Sequence, residues 1–162
     1  MTTALETAAL VTERPALLLD EGFFRQLFIA DRLPEFMAGG LGRADAERLL
    51  ADQFRLQTAG YAHDHPRADR RVILWRGQPV GRIIEADQGD HTVVVDFVLN
   101  PASRGLGIGT EVLDRVLWRA RTANRPVRLQ ALHGSPALHL YERAGFRPEG
   151  TTADRVQLVW VP

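Results

Sequence analysis

Apolar positions along this chain change period twice. Phe23, Phe24, Leu27 and Phe28 recur at helical spacing after Asp20-Glu21, which predicts a helix capped there and stopped near Pro34. Gly39-Gly40-Leu41-Gly42 predicts a joint. A second helix over residues 44–61 follows it, with Leu49, Leu50, Phe54 and Tyr61 as core contacts. A short strand over 10–12 precedes both helices, and the small, polar residues 1–8 predict a disordered tail. Beyond the polar stretch 63–70 the period drops to two. Residues 72–75 read as a strand, 76–78 as a turn, and 80–86 as the hairpin partner, with Pro79 at the strand start. A turn at 87–90 leads into 92–99, a β-branched strand too apolar for a sheet edge.

Helical spacing then returns. Ile108, Val112, Val116 and Ala120 share one face, joined by Leu113 and Leu117, and Glu111 and Arg115 form an exposed i, i+4 pair on a helix over 108–123. A strand over 126–132 follows, parallel to 92–99 because a helix crosses between them. Ser135-Pro136 opens a short helix over 137–144, Gly145 closes it, and a strand or strand pair including 155–161 ends the chain. The order β-α-α-β-β-β-α-β-α-β(β) predicts one α/β (α+β) domain over residues 1–162. Its central sheet is mixed and mostly antiparallel, with helices on both faces.

Composition narrows the chemistry. The 162 residues are 45% hydrophobic and 25% charged, an ordinary globular balance. Formal net charge is +0, so no global field favours nucleic acid or acidic membranes. All 20 basic residues are arginine, which excludes a lysine nucleophile, a lysine Schiff base and a P-loop lysine. Cysteine is absent, which excludes disulfides, thiolate metal sites and a cysteine nucleophile. The N-terminal residues lack the pattern of a signal peptide and no apolar run is long enough to span a bilayer, so a cytoplasmic protein is expected.

The densest chemical signal is Arg104-Gly105-Leu106-Gly107-Ile108-Gly109, placed between the 92–99 strand and the 108–123 helix. Strand, glycine turn and helix start together make an anion cradle. Glycines admit close approach of a ligand, and the first helical N–H groups point at it unpaired. The Walker spacing fails for want of lysine. A G-x-G-x-x-G fingerprint fails because its last position falls on Thr110 or Val112. The spacing that fits is Arg-x-x-Gly-x-Gly over Arg104, Gly107 and Gly109.

With Val98-Leu99-Asn100-Pro101 leading into it, this segment resembles the acetyl-CoA motif of the GCN5-related N-acetyltransferases, the GNAT superfamily. Leu138-His139-Leu140-Tyr141-Glu142-Arg143-Ala144-Gly145-Phe146 resembles that family's second signature. The resemblance covers residues 70–162 and implies an acetyl-CoA-dependent N-acetyltransferase. In it, backbone N–H groups of Gly105, Leu106, Gly107, Ile108, Gly109 and Thr110 would hold the CoA pyrophosphate, with Arg104 at the rim. The strand before the turn would splay from its parallel neighbour. The pantetheine arm would then pair with Phe97, Val98 and Leu99, and an N–H near Val98 would polarise the thioester carbonyl. Tyr141 would be the general acid for the leaving thiolate. Ser135 stands where the family often has asparagine at the last helix, so its contact to the cofactor is open.

A chain without cysteine or lysine suits direct attack of an amine on the thioester in a ternary complex. Asp96, which interrupts an apolar strand, is the first candidate base, since burial raises a carboxylate's basicity. Glu85, on the adjacent strand, is the second. The acceptor is expected to be a small-molecule amine or a peptide N-terminus, with no metal, nucleic acid or membrane. The alternative is a catalytically silent acyl-CoA-binding or sensing module. His63-Asp64-His65 reads as a solvated loop rather than a metal site, for want of a third ligand. His133-Gly134-Ser135 reads as a loop and cap, since G-x-S-x-G is absent. Residues 156–161 suit either a homodimer edge or core.

Overall fold

A computed structural model describes residues 10–162; the tail expected over 1–8 lies outside the described residues. Seven strands form one sheet: β1 (Val11–Pro15), β2 (Asp69–Trp75), β3 (Gln78–Asp87), β4 (Thr92–Leu99), β5 (Val127–Leu132), β6 (Arg147–Thr151) and β7 (Arg155–Trp160). Their order across the sheet is β1-β2-β3-β4-β5-β7-β6. Every pairing is antiparallel except β4 with β5. The mixed, mostly antiparallel α/β fold expected from the pattern is the fold observed.

Four α-helices pack among the described residues: α1 (Glu21–Ala38), α2 (Arg43–Asp64), α3 (Ile108–Thr122) and α4 (Ala137–Arg143). Helices α1 and α2 cover one face, packing Phe24, Phe28, Leu33, Ala46, Leu50 and Phe54 against Val72 of β2. On the other face α3 and α4 bury Ile108, Val112, Leu113, Val116 and Tyr141 against Ile73, Ile83, Val127 and Leu158. Burial of about 1.5–3 kcal/mol per large apolar side chain makes these two layers the main stabilising term.

Four local expectations change. Helix α1 does not stop at Pro34 but runs through it to Ala38. A proline φ is helical, so the loss is one hydrogen bond to the preceding turn. Leu33 is buried and Phe36 packs on the same cluster, which holds the last turn in place. Asp20 makes no side-chain cap to α1. Its carboxylate turns back to accept from Leu17 N–H at 2.7 Å and from both Arg14 Nη atoms at 2.8 Å. Leu49 is exposed, because Ala46, Leu50 and Phe54 define the inward line of α2 and Leu49 sits about 100° off it. Strand β7 lies between β5 and β6, so residues 156–161 are not an edge; among the described residues β1 and β6 are the edges. Strand β6, with Pro148 and Gly150, carries little strand propensity and is held by its pairing with β7.

Candidate active site

The parallel pair β4–β5 is short. Thr92, Val93 and Val94 align with Val127, Arg128 and Leu129, and the pairing ends there. On the other side of β4 the register shifts at the same level: Ile84 faces Asp96 and Glu85 faces Val94, leaving Val95 as an extra residue. A bulge bends its strand. The turn of β4 away from β5 therefore starts at Val95, and the two strands diverge with β5 still paired to β7 through Leu132. Residues 95–99 and 130–132 face each other across an open wedge.

The polarity of the wedge follows from one bond. Asn100 N–H donates to Val80 C=O at 2.7 Å, so strand alternation directs the Val98 N–H toward β3 as well. The N–H groups of Phe97 and Leu99 face the wedge instead. Near Val98, the N–H groups open to the wedge are therefore those of its two neighbours. Arg104 Nη2 donates to the outward Leu99 carbonyl at 3.0 Å and pairs with Asp31 of α1, fixing its guanidinium at the wedge mouth.

Past Leu99, Asn100 Oδ1 accepts from Ala102 N–H at 3.2 Å and closes a tight turn over Pro101–Ser103. The chain then enters α3 through Gly105 and Gly107, whose φ angles of 76° and 83° lie in the left-handed region. Glu111 N–H is the first to bond back, to Gly107 C=O. Among the described residues the N–H groups of Gly105, Leu106 and Gly107 have no partner, and those of Ile108, Gly109 and Thr110 are the orphan donors of a helix start. Six adjacent donors at a dipole's positive end fit a pyrophosphate. At Gly109 a Cβ would lie 3.3 Å from Leu140 and 3.5 Å from Leu99, so the helix seats closely against the wedge wall.

A cavity of about 80 Å³ opens where the strands part. Asp96, Tyr141, Tyr61, Gln57, Arg32 and Arg155 line it. It shares Tyr61, Val94, Val95, Leu129, Gln130 and Arg155 with an adjacent outer cavity of about 530 Å³ that Asp64, His65, Arg128 and Glu149 also line. Tyr141 reaches it from α4, its ring edge-on to Phe146 at 5.8 Å. Burial, with the Asp96 charge adding to it, pushes the Tyr141 hydroxyl well above the usual tyrosine range. Tyr61, from the opposite face, is pushed up to about 12, chiefly by burial and then by Asp96.

Asp96 is not a lone carboxylate. Arg82 Nε donates to Asp96 Oδ2 at 2.9 Å, and Nη2 adds a second bond to the same oxygen. Arg82 is 2% exposed and lies between the rings of Phe24 and Phe54, at 5.1 and 5.7 Å. Gln57 Oε1 accepts from Arg82 at 3.4 Å. Sequence reasoning missed Arg82, although a charge inside the apolar 80–86 stretch was the signal for it.

The structure does not bring Glu85 to this cavity. Side chains alternate along β3, so Glu85 lies on the α3 face, opposite Arg82. There it pairs with Arg71 and with Arg119 at 2.7 Å, locked in a network that ties β2 and β3 to α3. Ser135 Oγ accepts from Ala137 N–H at 3.3 Å, but it stands one residue before Pro136, which takes the N-cap position expected for Ser135. His63 and Asp64 end α2 rather than forming a loop, and Asp64 and His65 line the outer cavity. His133 Nε2 lies 3.0 Å from the Thr152 carbonyl.

These features define an α/β domain with an anion cradle at the mouth of a split sheet. The chain belongs to the family of the acetyltransferase (GNAT) domain, whose family model matches residues 68–148. A search of curated proteins finds no significant sequence match. Among solved structures, the fold is similar to the PaiA N-acetyltransferase of Thermoplasma acidophilum, solved in complex with coenzyme A. That likeness has a TM-score of 0.71 at 14% identity and covers 94% of this chain and 99% of that one. A Salmonella typhimurium acetyltransferase that modifies the N-terminal serine of ribosomal protein L7/L12 gives a TM-score of 0.64 at 13% identity, covering 94% and 95%. A GNAT family acetyltransferase from Elizabethkingia anophelis with acetyl-CoA bound gives 0.60 at 14%, covering 94% and 98%. At this identity the likenesses carry the fold.

Proposed function

We propose that this chain transfers an acetyl group from acetyl-CoA to a primary amine by direct attack. The observation that carries this reading is the wedge itself. One end is the six-donor cradle, and the other is a cavity holding a tyrosine and a carboxylate. An extended pantetheine arm suits the unpaired edges of β4 and β5 between them. The bound cofactors of the Thermoplasma and Elizabethkingia neighbours support the same donor.

In this reading Gly105–Thr110 N–H groups hold the pyrophosphate, Arg104 flanks it, and Ser135 approaches the arm from the α4 side. The N–H of Phe97 or Leu99 stabilises the oxyanion as the amine nitrogen bonds to the acetyl carbon. The C–S bond then breaks. Asp96, directly or through water, takes the proton released by nitrogen, and Tyr141 gives one to the leaving sulfur. A tyrosine held protonated by burial is a donor at neutral pH. Glu85, locked on the other face, is given no role. The pairing of Asp96 with Arg82 favours one competing reading, a silent acyl-CoA-binding or sensing module, because the carboxylate already has a buried partner inside the protein.

Two measurements test this. Calorimetric titration should show acetyl-CoA binding well below millimolar, and its absence there removes the donor assignment. Tyr141→Phe and Asp96→Asn should each lower turnover by roughly 10²–10⁴-fold with acetyl-CoA binding retained. Unchanged turnover in both would sink the acid–base assignment, whereas bound acetyl-CoA without thiol release across an amine screen would establish the silent module.

A further inference from the structure

The inner cavity carries more positive charge than its own carboxylate uses. Asp96 is neutralised from within the protein by Arg82. Two other guanidiniums line the same cavity from different elements, Arg32 on α1 and Arg155 at the start of β7. Among the described residues Arg32 has no carboxylate within ion-pair distance. Its guanidinium is held over the Phe28 ring, 3.8 Å from the centroid, so it is oriented without being neutralised. Arg155 has only a loose contact, 3.7 Å, with the exposed Asp154. Tyr61, which lines the cavity with them, lies within electrostatic reach of both. Farther out, Arg128 and Glu149 satisfy each other at 3.0 Å, and Asp64 stands exposed at the rim.

Resting on the transferase reading above, we propose that the acceptor is a small amine bearing its own carboxylate, received by Arg32 and Arg155 beside Asp96. Two guanidiniums lining one confined polar cavity are complementary to a planar carboxylate and hostile to a second ammonium group. They also favour the neutral over the protonated amine, the form that attacks a thioester. The inner cavity is small, so the carboxylate and the amine sit close together in the ligand, as in a free amino acid. A peptide presenting an acidic residue after its N-terminus is the competing source of the same charge.

The test compares matched acceptors: an amino acid, its carboxamide, the corresponding decarboxylated amine, and a blocked peptide beginning with aspartate. Each is titrated calorimetrically into CoA-saturated protein and assayed for thiol release from acetyl-CoA. The free amino acid should bind, and react in kcat/KM, roughly tenfold or more better than its carboxamide. Arg32→Gln and Arg155→Gln should each bring that acid-to-amide ratio down toward one, and the lysine variants should keep part of it. Thermal melting and acetyl-CoA titration of each variant verify that it is folded. A wild-type ratio near one, a ratio unmoved in both folded glutamine variants, or a preference for the aspartyl peptide overturns the assignment. If no amine releases thiol, the transferase reading falls, while the binding ratio still decides the carboxylate site on its own.

Discussion

At the scale of single residues, two carboxylates make opposite points about charge. Asp96 is held by a guanidinium that is itself buried between two aromatic rings, with one Arg82 nitrogen, Nη1, buried and unpartnered. Removing one partner of such a pair costs more than removing both. Arg82→Met should therefore destabilise the fold by roughly 3 kcal/mol, near the lower end for buried pairs because Asp96 faces a cavity. Arg82→Met with Asp96→Leu should recover part of that loss. Urea midpoints of the two variants decide it, and equal midpoints would mean that the pair is not coupled. Asp20 lies at the other extreme. The Arg14 guanidinium first, and then the Leu17 N–H, hold its carboxyl down at about 2, against an unfolded value of about 3.9. Between those values the unfolded chain takes up a proton that the folded one refuses. Asp20 thus adds stability above about pH 4 that is lost as pH falls toward 2. Asp20→Asn should lower the urea midpoint at neutral pH and flatten its acid limb; parallel limbs for the two proteins would refute this.

At the scale of elements, what could be read locally depended on where the determinants lie. Strand β4 was legible to its ends because a β-branched run is bounded by Asp90-His91 and Asn100-Pro101. The cradle was legible because its glycines and its helix start are contiguous. The walls of the cavity were not. Arg32, Gln57, Tyr61 and Arg155 come from α1, α2 and β7, more than a hundred residues apart at the extremes, and no local period announces their meeting. Pro34 misled for a related reason, since tertiary packing of Leu33 and Phe36 outweighs one lost hydrogen bond. Gly81 on β3 tests how tightly the elements fix the wedge. A Cβ there would lie 2.5 Å from the Val98 carbonyl oxygen and 2.7 Å from a Leu99 methyl. Gly81→Ala must push the outer half of β4, which carries the expected pantetheine edge. It should cost roughly 1–3 kcal/mol of stability and weaken acetyl-CoA binding together. Full stability with full affinity would show that β4 moves freely.

At the scale of the whole molecule, the sheet is two blocks joined by a short seam. Strands β1 to β4 form one antiparallel block and β5, β7 and β6 the other. Among the described residues three aligned pairs, Thr92 with Val127 through Val94 with Leu129, are the strand pairing between them, with α3 packed across. Beyond the seam, residues 95–99 and 130–132 present backbone groups to an open wedge, a source of local weakness that a ligand bridging the edges would remove. Binding to the folded state alone stabilises it by mass action, about 2.7 kcal/mol at a hundredfold excess over Kd. The location of that gain is what distinguishes this site from any other. Saturating acetyl-CoA should raise the melting temperature. It should also slow amide exchange at Phe97 and Leu99, whose N–H groups face the wedge, and at Gly105–Thr110 in the cradle, while Val98, already bonded toward β3, changes little. This alternation along one strand has no counterpart in a general tightening of the fold. A higher melting temperature with uniform protection along β4 would place the ligand elsewhere and detach the cradle from the wedge.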